Sequence, residues 1–251
     1  MGPRTSIEVG PDAASVGRRK PAARASLSQE LIVSTAVAYI EEFGLPGLTM
    51  RRLGKALGVE AMSLYRYVPG REELLDAVVD HIVSDMRRDR EVLDTPRDGW
   101  QDFLQRLAHG IRRMALAHPR AFPLVASRPP AAPWLRPPLR SLDWVEMFLQ
   151  GLEAEGFNDE GAVAAYRAFT SFLLGHLLLE VSALGADVGP LDVSETATHP
   201  EPDVQASELA EFPTVARLAD QLAEDRAVVE FEESLENLLD RIARLRVEHL
   251  D

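Results

Sequence analysis

The chain of 251 residues is long enough for one large domain, or for a small domain joined to a larger one. Its 46% hydrophobic and 27% charged content is that of a globular protein, and the lack of cysteine excludes disulfides and thiolate metal sites, as suits a reducing cytoplasm. A net charge of −13 argues against nucleic acid as a partner, but its distribution reverses that reading at one end: residues 18–71 hold nine Arg or Lys against four acids and residues 1–17 sum to −1, which leaves −17 on residues 72–251. A basic N-terminal module on an acidic body is expected where one end meets a polyanion.

Residues 1–26 are rich in Ala, Gly, Pro, Ser and Arg without apolar periodicity, so a disordered basic arm is expected, and no secretory signal. From Ser28 the pattern turns helical: Leu31, Ile32, Thr35, Ala36, Tyr39, Ile40 and Phe43 share a face, with Ser28 placed to cap and Gly44 to stop. After a tight "LPG" connection, Thr49 can cap a second short helix with Met50, Leu53 and Leu57 inward, ended by Gly58. Ala61 to Val68 reads as a third short helix with Leu64 inward, and Pro69-Gly70 precedes a longer one whose first turn holds Glu72 and Glu73.

Helix then follows helix. Trp100, Phe103, Leu104, Leu107, Ile111 and Met114 recur at helical spacing over 100–117; the Pro-rich "SRPPAAPWLRPPLR" is a break, followed by helix from about Ser141 to Glu155. The most apolar helix, Glu160 to Leu184, is interrupted by His176 and Glu180, which favours a buried core helix over a membrane span, so no membrane partner is expected. An acidic, Pro-containing stretch over residues 186–207 reads as a mobile loop. A shorter helix near Ala206 to Glu224 and a last one, Val228 to Leu245, close the chain, and no stretch alternates long enough to nominate a strand. The expected fold class is all-α, with a head over residues 27–73 and a body over residues 74–251.

Two short helices joined by a tight turn and packed on a longer one form the helix-turn-helix plan, in which the second short helix enters the DNA major groove. Gly54 falls where those two helices approach closely. Ser63 can bond a base edge or phosphate, Arg66 can pair with guanine or phosphate, and Ala61 and Met62 offer only apolar contacts, as to a thymine methyl. Tyr65, Tyr67 and Arg71 suit the DNA backbone, and Arg51 and Arg52 the groove edge or a phosphate.

The stretch "LTMRRLGKALGVEAMSLYRYVPGREELLDAV" resembles the DNA-binding head of the tetracycline-repressor (TetR) family: Thr49, Leu53 with Gly54, Leu57 to Val59, Leu64 with Tyr65, Tyr67 and Arg71 stand at its pattern positions. "ELIVSTAVAYIEEFG" extends the likeness backwards, and "WQDFLQRLAHGIRRMALAHPRA" and "FEESLENLLDRIARL" are similar to the ligand-and-dimer domain of the subgroup nearest the tetracycline repressor. The resemblance implies a cytoplasmic homodimer bound to a double-stranded DNA operator and released by a small-molecule effector, most simply a repressor. It places Thr49, Arg51, Ala61, Met62, Ser63, Tyr65, Tyr67 and Arg71 on the DNA face. Glu60 and Met62 depart from the Ser, Gly or Pro often found near those positions, so the operator cannot be copied from a relative; Tyr67 replaces the commoner His and keeps a phosphate contact.

For the body, the resemblance implies a four-helix bundle between two copies, with Phe169, Leu173, Leu177, Phe231, Leu235, Leu238 and Ile242 as the expected dimer residues. An enclosed pocket is expected among Leu107, Ile111, Met114, Trp144, Phe148, Phe172 and His176. Where the resemblance would place the polar residues that hold magnesium-tetracycline stand Arg87, Leu107 and Ile111, with no His over 124–127, so a different and more apolar effector is expected. His176 and Glu180 lie one turn apart, but two ligands are not a site; no metal or cofactor is expected. Gly-rich phosphate loops, nucleophile elbows and H-E-x-x-H motifs are absent from the sequence, and its six His are dispersed, so no enzyme is expected. The alternatives are an activator with the same residues, and a helical small-molecule-binding protein or enzyme that has lost DNA binding.

Overall fold

The structure, a computed structural model, describes residues 27–88, 96–128, 132, 134–137, 141–188 and 211–248. The arm expected over residues 1–26, and all but the first three residues of the loop expected over 186–207, lie outside them. Among the described residues the protein is all-α, with ten α-helices and one short 3-10 turn.

Helix α1 (Gln29–Phe43) starts where the Ser28 hydroxyl accepts from the Leu31 N–H at 3.2 Å, and stops at Gly44, whose N–H reaches the Ile40 carbonyl at 2.8 Å. Its buried face is Ile32, Val33, Ala36, Val37 and Ile40. The expected face is therefore rotated: Val33 and Val37 turn inward, while Phe43 stays 55% exposed and stacks on Tyr39. The 3-10 turn, Leu45–Gly47, leads to α2 (Met50–Leu57), whose first turn is capped by Thr49 Oγ1 accepting from the Arg52 N–H at 3.2 Å.

The turn out of α2 is a Schellman motif. Gly58 sits at φ 67°, its N–H donates to the Lys55 carbonyl at 3.2 Å, and the Val59 N–H donates to the Gly54 carbonyl at 2.9 Å. Helix α3 (Ala61–Leu64) is shorter than the expected Ala61 to Val68. Beyond Leu64 the chain continues as a turn in which the N–H groups of Tyr67 and Val68 both donate to the Leu64 carbonyl, at 2.9 and 3.0 Å. Pro69 sets the limit, because it has no N–H to extend the ladder and disfavours helical geometry at Val68.

Helix α4 (Arg71–Arg88) follows, then α5 (Gly99–Ala117), α6 (Phe122–Ser127), α7 (Leu142–Ala154), α8 (Asp159–Ala183), α9 (Pro213–Leu222) and α10 (Ala227–Glu248). Two hydrophobic cores result. The first gathers Ile32, Ile40, Leu53, Leu64, Leu74 and Val78 from α1 to α4 and takes in Leu124 of α6 and Ala121 just before it; the second gathers the body around Phe103, Phe148, Phe169, Leu177 and Phe231. Helix α8 is the hub of the body, in contact with α5, α6, α7 and α10. By length and mean hydropathy, 1.4 over its most apolar window, α8 would suffice to cross a membrane, but Ala165, Phe169, Leu173, Leu177 and Val181 are buried against those neighbours.

Helix α4 belongs to both cores: Leu74, Leu75, Val78, Val79 and Ile82 pack in the head, and Met86 in the body. Helix α6 is the second link. Its N-terminus is tied to α1, where the Glu41 carboxylate accepts from the backbone N–H of Arg120 at 3.2 Å and of Ala121 at 3.0 Å, while Arg120 Nη1 donates to the Glu42 carbonyl at 2.8 Å. Its C-terminus is tied to α4 by Arg128, whose Nη1 meets Glu72 Oε2 at 2.8 Å and whose Nε meets Asp76 Oδ1 at 2.9 Å. Burial disfavours the Arg128 charge, but hydrogen bonds and charge attraction from Glu72 and Asp76 outweigh it, and its pKa is raised.

Candidate nucleic-acid interface and internal cavity

The tip of the head presents the face expected to meet DNA. Met62 is 74% exposed, Tyr65 42% and Tyr67 40%, beside exposed Arg51 and Arg66, while Ala61 and Ser63 are half-buried at the start of α3. Helix α3 is held to present them: Leu64 is buried beneath it, and Gly54 opposes its start with no side chain between.

The four arginines divide by what they already hold. Arg52 Nη1 donates to the Gly47 carbonyl at 2.9 Å, and Arg71 Nε to the Leu48 carbonyl at 3.4 Å, so both brace the connection between α1 and α2. Arg51 and Arg66 are exposed and make no hydrogen bond or ion pair with the described residues, which leaves their donors open to an external anion. Thr49 Oγ1 accepts in the α2 cap, and its O–H can still donate.

A partly open cavity of about 120 Å³ lies in the body, lined by α4 to α8. Helix α4 contributes Val79, Asp80, Val83 and Met86, α5 Leu107, Ile111 and Met114, and α6 Phe122 and Val125; Ser141, Trp144 and Phe148 come from α7 and its cap, and Tyr166, Phe169, Thr170, Leu173 and Leu174 from α8. Of the residues expected at a pocket, Leu107, Ile111, Met114, Trp144 and Phe148 line it. Phe172 and His176 do not; they lie on the side of α8 that meets α10, with ring centroids 6.2 and 5.4 Å from Phe231. The lining residues absent from the expected pocket come from α4 and α6, from Ser141, and from α8, where Phe169 and Leu173 belong to the set expected at the dimer interface instead.

Tyr166 is self-satisfied. Its hydroxyl donates to the Pro137 carbonyl at 3.0 Å, and burial pushes its pKa up to about 12, a rise that the hydrogen bond with Thr170 reduces. Asp80 at the rim is the one charged residue of the lining.

Within one copy, the residues expected at a dimer interface pack into the core of the body. Phe169, Leu173, Leu177, Phe231, Leu235 and Ile242 are buried within one copy, and Leu238 is half-buried against the same core. The reason is that α10 lies against α8 and α5 and conceals its own apolar stripe, leaving Glu233, Glu236, Asp240, Arg241 and Arg244 outward. The exposed stripe of α8 is a different one, Val163, Arg167, Ser171, Gly175, Leu179 and Ala183 at four-residue spacing, with Leu179 76% exposed. Next to Leu179, Glu180 is held by Arg112 of α5, Nε to Oε2 at 3.0 Å, and Arg112 lies over the Phe231 ring at 5.0 Å. The pair His176 and Glu180 thus splits between a ring stack and an ion pair, and no group of three metal-ligating side chains occurs among the described residues.

An all-helical body with an apolar cavity carries a helix-turn-helix head with exposed Arg51 and Arg66 at its tip. Residues 32–78 match the family described as bacterial regulatory proteins, tetR family, and residues 94–245 match the tetracyclin repressor-like C-terminal domain. The chain belongs to the TetR family of transcriptional regulators. It is 31% identical over 150 residues to the HTH-type transcriptional repressor DrrR1 of Streptomyces coeruleorubidus, a match covering 60% of this chain and 52% of that one, so it spans about half that relative's length. Among solved structures, a possible TetR family transcriptional regulator from Streptomyces coelicolor A3(2) superposes with a TM-score of 0.66 and 29% identity, over 87% of this chain and all of that one. The Streptomyces coelicolor TetR family protein ActR, in complex with actinorhodin, gives 0.62 at 25% identity, over 87% of this chain and 96% of that one.

Proposed function

We propose that the protein is a homodimeric, DNA-binding repressor, without catalytic activity, released from a palindromic operator by a small apolar effector other than magnesium-tetracycline. The observation that carries this reading is the joint use of α4 and α6. Val79, Val83, Met86, Phe122 and Val125 face the cavity, while Leu74, Val78 and Leu124 of the same two helices sit in the core of the head. A molecule that displaces either helix must move the head. The head, residues 27–73, reads DNA through Arg51, Arg66, Met62 and Ser63, with Tyr65, Tyr67 and Thr49 on the backbone and Arg52 and Arg71 bracing the scaffold. The body, residues 74–251, holds the effector and the second copy. Coupling of this kind changes affinity by about 5- to 150-fold.

Mobility shift with the gene's own upstream DNA tests the reading, and no shift at any salt concentration would sink it. Arg51→Ala is expected to weaken binding to the operator more than to random DNA; equal loss on both would reduce Arg51 to a phosphate contact.

Helix-turn-helix dimers present two recognition helices about 34–36 Å apart. For the second copy we propose the outward stripe of α8 around Gly175 and Leu179, where small residues allow two helices close approach, joined by the exposed Val228 and Val229 at the start of α10. Leu179→Glu is expected to convert the dimer into a monomer at micromolar concentration, read by sedimentation. A dimer unchanged by Leu179→Glu would move the interface elsewhere.

A further inference from the structure

A helix leaves its last carbonyls and its first N–H groups without partners inside itself, and α1 and α6 settle this for each other. At the end of α1 the Gly44 N–H takes up the Ile40 carbonyl. The next two carbonyls go to one side chain from the body: Arg120 Nη1 donates to the Glu41 carbonyl at 3.3 Å and to the Glu42 carbonyl at 2.8 Å. At the start of α6 the cap position is Ala121, whose methyl group cannot cap. The Glu41 carboxylate takes that part, Oε2 accepting from the Arg120 N–H at 3.2 Å and Oε1 from the Ala121 N–H at 3.0 Å. The Ala121 N–H is shared with the His118 carbonyl at 3.2 Å, whereas the Arg120 N–H goes to Glu41. Each charge also suits the helix end that it meets, an anion at an N-terminus and a cation at a C-terminus. The result is a reciprocal clasp between residues 79 apart in the sequence.

We propose that Glu41 and Arg120 are positioning residues for DNA recognition: neither belongs to the expected DNA face, and together they fix its aim relative to the body. This rests on reading the head as the operator-binding unit of a repressor. Helix α4 follows the helix-turn-helix pair and runs from one core into the other, with Leu74 and Val78 in the head and Met86 in the body. The clasp grips the head at a second point, the end of α1, just before Gly44 and the 3-10 turn that leads into α2. That connection is itself braced, since Arg52 holds the Gly47 carbonyl and Arg71 the Leu48 carbonyl. Two attachments, one before α2 and one after α3, set an orientation that a single one leaves free to turn. Apolar packing by Ala121 and Leu124 adds cohesion there but no direction, whereas hydrogen bonds have both length and angle to satisfy. The clasp is also sensitive: a shift of about 0.5 Å takes its bonds beyond hydrogen-bond length. Phe122, the residue after Ala121, lines the cavity, so movement of α6 reaches α1 directly and not only through α4.

Glu41→Ala removes the clasp together with one negative charge of the head, and Glu42→Ala is the matched control. It removes the same charge one residue along, from a side chain that makes no hydrogen bond or ion pair with the described residues, and it keeps the carbonyl that Arg120 holds. The full chain is titrated on the gene's own upstream DNA and on random DNA. Glu41→Ala is expected to weaken operator binding about tenfold and random binding by less than about twofold, and Glu42→Ala to change neither by more than about twofold. Glu41→Gln keeps the shape and one acceptor oxygen, so it is expected to fall between parent and alanine, and it carries the test if alanine unfolds the head. Hydrogen exchange of the Arg120 amide reads the clasp itself. Because coupling is reciprocal, operator DNA is expected to slow that exchange in the parent and in Glu42→Ala, but not in Glu41→Ala. Equal effects of Glu41→Ala and Glu42→Ala on the operator would overturn the clasp and leave a plain charge effect, with the repressor reading intact. A parent without preference for its operator over random DNA would instead bring down that reading, and the role of the clasp with it.

Discussion

Arg128→Ala is expected to lower the melting temperature by about 5 °C and to flatten the response of the head to anything bound in the body. The Arg128 side chain is only 9% exposed, and its fork is fully used: Nε and Nη2 on Asp76 Oδ1, Nη1 on Glu72 Oε2, and Nη2 also on the Glu72 carbonyl at 3.3 Å. Alanine removes all of these at once and strands two carboxylates near a buried wall. Breaking a buried charge pair costs about 3–5 kcal/mol, but Glu72 is 67% exposed and largely screened by water, so a loss of about 1–3 kcal/mol is the better expectation. In a protein of this size that corresponds to about 5 °C. The two acids are unequal: Asp76 is 31% exposed, so a double-mutant cycle is expected to give a larger coupling of Arg128 with Asp76 than with Glu72. Arg128→Lys keeps the charge but not the planar fork, and is expected to fall between parent and alanine. Calorimetry that finds the alanine variant as stable as the parent would mean that α6 is held by Phe122, Leu124 and Val125 alone.

That contact also marks where the sequence stops being readable. The caps at Ser28, Thr49 and Gly58 were legible because each joins residues a few positions apart, and local spacing carries local hydrogen bonds. Helix α6 was not, for two reasons. Six residues are too few to display a helical period, and its N-terminus is capped by Glu41, which lies 79 residues from Arg120 in the sequence. The stripes of α8 and α10 show the complementary failure. Periodicity identified the apolar faces through Phe169, Leu173, Leu177, Phe231 and Ile242, but a hydrophobic face does not specify whether its partner is the same chain or a second copy. Within one copy these residues are buried, while Leu179 and Gly175 stand exposed on the other face of α8. At the cavity, Leu107, Ile111 and Met114 follow from helical spacing on α5, whereas Phe172 and His176 were misplaced because one step along a helix turns a side chain by about 100°. Leu173, next to Phe172, faces the cavity instead.

Gly54→Val is expected to abolish operator binding, by at least about 30-fold, with the body still folded. A Cβ at Gly54 would lie 3.0 Å from the Val59 carbonyl oxygen, 3.2 Å from the Ala61 nitrogen and 3.3 Å from the Ala61 Cα. All three are backbone atoms, so no side chain can swing aside; the turn or α3 itself must move. The Gly54 carbonyl is also the acceptor that closes the Schellman turn, so displacing it loosens the connection that aims α3. Two effects compete in Gly54→Ala. A non-glycine residue stabilises α2 by about 1 kcal/mol, while the clash costs about 1–3 kcal/mol, so alanine is expected to be mildly harmful. Valine adds two methyl groups at the same crowded point and loses much of the helix-propensity gain, so the clash prevails. The geometric consequence exceeds the energetic one. Arg66, Ser63 and Met62 must meet base edges at hydrogen-bond and van der Waals distances, and a shift of α3 by about 1 Å leaves them unable to do so together. Exposed Arg51, on the far side of the turn, keeps its attraction for phosphate, so weak salt-sensitive binding to random DNA is expected to survive in Gly54→Val. Titrations on operator and random DNA at two salt concentrations distinguish the cases, and a variant that keeps operator preference would show that α3 does not depend on its close contact with α2.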